Sequence, residues 1–328
     1  MSEIVRPLEI LRDVIRAKRT GTLSITTATG AAEIRLSLGV VEDAVYLRTE
    51  GEKALYRVLA LDEARCRFHD GDATGIRRLE FGSTDLLERA PRVLDELVTL
   101  RAQFATRGPL VAVDAGELAP GSLSSRARDV LGLLHAPILL EELLDAAPAS
   151  DVEILAALAE LDRGGRLRKL ASVSTRQPLA TSEQLGRIQE RLGRTHAAGG
   201  RVRVVFAGSV QRLAILAHSA LCLETALPPA EGVPSLPMPH PVARLAIDEQ
   251  LELEIAVCPL VAAYAPLWPM ALARAGAVVR LEDTPAPHFD HAADAAGARV
   301  LDALMLVGPY DEANVTEVAM LVRAALDG

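Results

Sequence analysis

Lysine is almost absent from this chain. Only Lys18, Lys53 and Lys169 interrupt an otherwise all-arginine set of basic residues, and asparagine occurs once, as Asn314. Chemistry that needs a lysine ammonium beyond residue 169 is thereby excluded. Cysteine is scarce as well. Cys66, Cys222 and Cys258 lie far apart with no ligand spacing, so no disulfide framework or zinc site is expected, and a reducing, cytoplasmic setting is. No apolar run approaches the roughly 20 residues of a membrane-spanning helix. The N-terminus is charged from Glu3 onward and lacks the apolar core of a secretory signal. Positive charge is in deficit, with a net charge of −9. That balance argues against a surface built to wrap nucleic acid or coat an anionic membrane.

Half of the 328 residues are apolar, enough for a sizeable core. At the usual domain size of roughly 100–150 residues, two or three domains are expected. Leu8, Leu11, Val14 and Ile15 fall on one face of a helix over 7–18. Alternating strands follow at 22–27, 32–39 and 40–47, then a helix over 51–61 and a strand at 64–71. Ser83-Thr84-Asp85 can cap a long helix over 86–106, which Pro91 is expected to kink or restart. After a Gly- and Pro-bearing link from Gly108 to Gly121, the spacing predicts three short helices at 124–135, 139–147 and 150–163. The strand RLRKLAS follows the Gly164-Gly165 turn. A connector helix over 181–196 places Leu185, Ile188 and Leu192 on one face.

The leading helix running into Arg19-Thr20-Gly21-Thr22-Leu23, the Gly39-Val40-Val41 turn with Ala44 beyond it, then Gly51, Glu52, Ala54 and Leu55 and a terminal Phe68, together resemble the bacterial PATAN-like domain. That family has no assigned catalysis and often accompanies signalling modules. This chain departs from it in the CRFHDG end, where members carry a more aromatic tail. Three helices closed by a short ribbon over 124–172 resemble a winged helix.

From Arg201 apolar strands alternate with helices, the texture of an α/β sheet. Strands are expected at 201–209, 251–259, within 263–283 and at 303–311, with helices after the first strand and over 315–326. VPSLPMPHP at 233–241 reads as a loop. Tyr264, Leu267 and Trp268 ahead of a Gly-Ala-Val-Val strand make the order resemble small Ras-like GTPases, where the corresponding run is the second switch. That resemblance implies a phosphate loop, G-x-x-x-x-G-K-[ST], whose amides, lysine and hydroxyl hold phosphates and magnesium. Here Gly208 is followed by Leu213 at the second glycine position, Ala214 at the lysine and Ile215 at the hydroxyl. The magnesium-holding acid falls at Cys258-Pro259, and the guanine-reading Asn-Lys pair near Pro309-Tyr310. Residues 201–328 contain no lysine at all. The loop is degenerate, no nucleotide-binding or catalytic residue is assigned, and a lysine restored at 214 is expected to bury an unpartnered charge.

His288, Asp290, His291 and Asp294 lie within a helical turn or two of one another, yet a solvated helix start with a capping Asp accounts for them, and no metal or other cofactor is expected. Asp85, Glu88 and Asp95 read as a charged helix face. The third helix of the winged-helix segment carries Asp151, Glu153, Glu160 and Asp162 against Arg163. That face repels phosphates, so nucleic acid is an improbable partner. Tyr264, Leu267, Trp268 and Met270 form the candidate partner-binding cluster, aromatic anchors being common at interfaces; Trp268 packing as core is the competing reading.

The expected fold is therefore multidomain α+β and α/β. It comprises a PATAN-like α+β domain over 1–108, a winged-helix-like domain with its linker over 109–175, a helical connector over 176–200 and a pseudo-GTPase α/β domain over 201–328. The expected function is non-enzymatic: an adaptor or scaffold in bacterial signalling or cell-polarity regulation. Its partners would be other proteins, Ras-like GTPases among the candidates. A DNA-binding transcription-linked regulator and a small-ligand sensor are the alternatives.

Overall fold

The computed structural model describes residues 3–28, 30–71, 75–79, 83–105, 107–113, 123–195, 200–230, 238–248, 251–282 and 286–327. Helices and sheets are mixed throughout, in line with the expected α+β and α/β class. The chain divides into two compact units: Met1–Ala105 with Val113–Leu133 and Leu140–Leu167, and Thr106–Ala112 with Leu134–Leu139 and Arg168–Gly328.

In the first unit, β1 (Glu3–Val5), α1 (Pro7–Arg16), β2 (Gly21–Thr26), β3 (Ala31–Ser37), β4 (Val40–Tyr46), β5 (Thr49–Glu50), α2 (Gly51–Leu59), β6 (Ala64–Asp70) and α3 (Ser83–Gln103) follow in order. The strands form one antiparallel sheet in the order β1-β6-β2-β3-β4-β5. Strand β1 has no counterpart in the sequence expectation; it is three residues long and takes its place by pairing with β6. Alternation in β2 and β3 buries Leu23, Ile25, Ala32, Ile34 and Leu36. These residues meet Leu11, Val14 and Ile15 of α1 and Ala54, Leu55, Val58 and Leu59 of α2 in one core. Gly21 is required here: its φ is +152°, and a Cβ would lie 2.0 Å from the His69 carbonyl oxygen. Helix α3 runs unbroken past Pro91. Packing of Leu86 and Ala90 before the proline, and of Val93 and Leu94 after it, onto the same core outweighs the lost helical hydrogen bond.

Three further helices belong to this unit: α4 (Ser125–Leu133), α5 (Leu140–Ala146) and α6 (Asp151–Arg163). Helix α6 opens with a capping box, the Ser150 hydroxyl accepting from the Glu153 amide while the Glu153 carboxylate accepts from the Ser150 amide at 3.0 Å. It packs against both α3 and α4, so Ile154, Leu155, Leu158 and Leu161 are all buried. Its first residue is the polar anchor of the unit. Asp151, 5% exposed, accepts from Arg57 Nε at 2.7 Å and Nη2 at 2.9 Å, with Lys53 Nζ at 3.8 Å. Lys53 also donates to the Leu144 and Ala147 carbonyls at the end of α5. Burial pulls the Lys53 ammonium below its ordinary pKa, against the opposing attraction of Asp151.

The second unit holds β7 (Leu110–Ala112), most of β8 (Leu167–Lys169), α7 (Ser182–Thr195), β9 (Gly200–Gly208), α8 (Val210–Leu221), β10 (Ala226–Leu227), β11 (His240–Ala246) and β12 (Leu251–Pro259). A 3₁₀ turn (Ala262–Leu267) follows, then α9 (Trp268–Leu272), β13 (Ala275–Arg280), α10 (Pro287–Ala295), β14 (Val300–Asp302), α11 (Ala303–Val307) and α12 (Val315–Asp327). Its sheet has the order β10-β11-β12-β9-β13-β14. Strands β12, β9, β13 and β14 are parallel, and β10 and β11 pair antiparallel at one edge. Val204, Phe206, Val257 and Val279 face α7, α8 and α12, while Val205, Ala207, Cys258 and Val278 face α9 and α10. Covering both faces makes the second halves of β9 and β12 continuous apolar runs, at 204–207 and 255–258.

Two expectations fail here. The run read as a loop at 233–241 ends inside β11, whose Val242, Ala243 and Leu245 are buried; residues 231–237 lie outside those described. The strand expected at 303–311 is instead β14, three residues earlier, followed by a helix. Asp302 decides this by accepting from the Leu304 and Met305 amides at 2.9 and 3.3 Å, capping α11. Among the described residues no helix is long and apolar enough to cross a membrane.

Replacing Asp151 by Ala leaves the buried Lys53 ammonium without a carboxylate and Arg57 with Asp145 as its one remaining carboxylate. The variant is expected to lose about 3–5 kcal/mol of stability, read as a lowered denaturant midpoint for the first unit.

Candidate functional site

In an open α/β sheet, ligands enter at the carboxyl ends of the strands where the chain reverses its winding. In this sheet that place is the end of β9, between β12 and β13, and it is closed from within. Gly208 ends β9 and Ser209 is the N-cap of α8, which begins at Val210. A phosphate loop needs the intervening residues in open turns; here they form the first turn of the helix. The Gly208 carbonyl accepts from the Leu260 amide at 2.9 Å, and the Ala207 carbonyl accepts from the Leu281 amide at 2.8 Å. A Cβ on Gly208 would stand 3.2 Å from the Leu281 Cβ, so Leu281 lies directly against the glycine.

The amide end of α8 already has an anion. Ser209 N–H donates to Glu282 Oε1 at 2.7 Å, placing a carboxylate where the helix dipole and unpaired amides favour negative charge. One turn along, Arg212 donates from Nε to Glu312 at 2.6 Å, from Nη1 to the Leu281 carbonyl at 2.6 Å and from Nη2 to the Tyr310 hydroxyl at 2.9 Å. The Tyr310 hydroxyl donates to the same Leu281 carbonyl at 3.0 Å. Burial raises its pKa well above the ordinary range. The Ser219 hydroxyl donates to the Glu312 carbonyl at 2.6 Å. Glu282, Arg212, Tyr310 and Glu312 thus form an internally satisfied polar cluster over the crevice.

The degenerate loop positions turn into packing. Leu213 belongs to the core on the α8 side. Ile215, 8% exposed, packs with Val111, Leu170 and Ala313. Gln211 and His218 on the outer face of α8 hold the Ala112 and Ala171 carbonyls at 2.6 and 2.7 Å. Ala214 is only half-buried, so a lysine there could run its stem along the helix and keep its charge in water. The expected burial of that charge does not fit this position.

Cys258, at the position of the magnesium-holding acid, is wholly buried, and burial pushes its thiol up to about 12. The Pro259 carbonyl accepts from Trp268 Nε1 at 3.2 Å. Tyr310, near the expected guanine-reading pair, is committed to Arg212.

The candidate partner-binding cluster divides. Trp268 is 5% exposed and meets Phe289 edge-on at 5.5 Å between ring centroids; it is core. Met270 is 70% exposed, and Tyr264 and Leu267 are half-buried. Leu267, Met270 and Ala271 border a shallow groove of about 170 Å³ with Met238, His240 and Pro241 of the antiparallel edge. The proline-rich pattern at 233–241 gives no sign of the groove, because it is the pairing of β11 with β12 that sets His240 and Pro241 at the sheet edge. Asp290 is held by Arg280 at 3.2 Å, and His288 and His291 are exposed. No group of metal-ligating side chains is present among the described residues.

No family model, curated protein or solved structure matches this chain.

All three thiols are raised by burial, Cys258 furthest. The thiolate is the reactive form. Iodoacetamide at pH 8 is therefore expected to leave all three cysteines unmodified in the native chain and to label them after denaturation, read by peptide mass mapping.

Proposed function

We propose that residues 201–328 are a Ras-like domain without nucleotide chemistry, and that the chain is a non-enzymatic adaptor or scaffold acting through protein contacts. The strand order, with one antiparallel hairpin at the edge of a parallel sheet, supports the Ras-like reading. The observation that carries the loss of chemistry is the Ser209–Glu282 hydrogen bond, which occupies the helix start a phosphate would need. Leu213, Ala214 and Ile215 put apolar side chains at the positions of the second glycine, the lysine and the hydroxyl. The expected setting is bacterial signalling or cell-polarity regulation, and the N-terminal unit is read as a PATAN-like domain joined to a winged-helix-like one. For the partner surface, the exposed Met270 and the groove beside it replace Trp268 as the centre.

Against the DNA-binding alternative stands the burial of α6. Its Asp151 end is hydrogen-bonded by Arg57 and paired with Lys53, and its sides are held by α3 and α4. The open remainder displays Glu153, Glu160, Asp162 and Arg163, an acidic balance that disfavours a phosphate backbone.

Titration calorimetry with GTP and magnesium is the test, on the wild type and on Ala214→Lys. Neither is expected to bind. The substitution is expected to change stability by less than about 1 kcal/mol, since the position is half-buried. Micromolar affinity in either protein would overturn the reading.

A further inference from the structure

A cleft of about 500 Å³ lies in the first unit between α2, α3 and the start of α6. That volume is within the roughly 300–1,000 Å³ range of small-molecule sites. Most of its charged lining is already spoken for. Lys53 and Arg57 are held by Asp151 and the end of α5, Glu153 by the Ser150 cap, and Arg89 pairs with Glu52 at 3.2 Å.

Three polar groups of the lining are left over. The Tyr56 hydroxyl is buried and has no hydrogen-bond partner, on a residue 5% exposed. An unpartnered buried hydroxyl costs about 1–3 kcal/mol, and the charges of Arg89 and Glu52 act on it. Arg92 and Glu96 make no ion pair among the described residues, although they stand four apart on one face of α3. Val93 and Leu97, each the next residue along α3 from Arg92 and Glu96, line the same cleft and give it an apolar strip. A guanidinium, a hydroxyl donor, a carboxylate and an apolar strip complement one chemical class.

We propose that this cleft binds a small zwitterion of the amino-acid class. Its carboxylate meets Arg92 and the Tyr56 hydroxyl, its ammonium meets Glu96, and its side chain lies on Val93 and Leu97. The site makes the chain a ligand-responsive adaptor, which neither the degenerate crevice nor the groove at Met270 would provide.

The test is titration calorimetry of the full chain with each of the twenty free amino acids at up to millimolar concentration. An apolar member such as L-leucine is expected to bind, while 4-methylpentanoate, lacking the ammonium, and isoamylamine, lacking the carboxylate, bind at least tenfold more weakly, as loss of a charged hydrogen bond implies. Tyr56→Phe removes the unpartnered hydroxyl, so it is expected to melt at the same or a higher temperature while weakening binding about fivefold. Arg92→Gln, at an exposed position, is expected to fold normally and weaken binding about tenfold. Absence of binding by all twenty, or affinity unchanged in both variants, overturns the proposal.

Discussion

A helix start presents amide groups with no intrahelical acceptor, and something must bond them. In the second unit that requirement falls on Ser209, at the end of the central strand of a two-faced sheet, and Glu282 from beyond β13 meets it. The neighbouring contacts depend on the same closure. Leu281 lies against Gly208 and offers its carbonyl to both Arg212 and Tyr310, and Arg212 brings Glu312 down over the helix. A crevice that would stand open to phosphate is thereby a polar seam of the protein's own side chains. A buried polar network is stabilising only when its members are satisfied, and this one is.

The first unit applies the same logic at another helix start. Asp151 at the head of α6 and Asp145 of α5 pair with Arg57 of α2, Asp151 also stands beside Lys53, and the Leu144 and Ala147 carbonyls accept from Lys53. The contrast lies one residue before Arg57, at Tyr56 on the same helix, where a hydroxyl is buried without a partner. Unlike Asp43 Oδ1 and Arg101 Nε, which are also buried without a partner in this unit, that hydroxyl belongs to a residue lining the cleft between α2, α3 and α6.

Most of the secondary structure was legible in the residues. Strands β9 and β12 announced themselves by the apolar runs at 204–207 and 255–258, and α1, α7 and α12 as faces of 3.6 periodicity. What escaped was decided by partners. The five residues Ala303–Val307 suit a strand or a helix equally, and the cap from Asp302 settles the matter. Strand β11 carries Pro241 and follows a Pro-rich stretch, yet pairs along β12. Pro91 reads as a kink or restart, but one helix, α3, runs through it and the core on either side holds it. The degeneracy of the loop at Leu213, Ala214 and Ile215 was readable from sequence. What fills the crevice was not: Glu282 is 73 residues from Ser209, and Tyr310 is 98 from Arg212. For Trp268 the sequence left core and partner surface as competing readings, and the edge-on contact with Phe289 of α10 decides for core. Long-range polar pairs leave no local period to read.

If the crevice is closed by Glu282, the Ser209 amide is a hydrogen-bonded group of the folded core, although its residue is exposed. Hydrogen exchange at that single amide, followed by nuclear magnetic resonance in the wild type and in Glu282→Ala, tests this directly. The expected result is exchange in the wild type orders of magnitude slower than in an unstructured chain, with protection lost at Ser209 in the variant while β9 stays protected. Exchange of the wild-type Ser209 amide at the rate of an open loop, unaltered by the substitution, would contradict it.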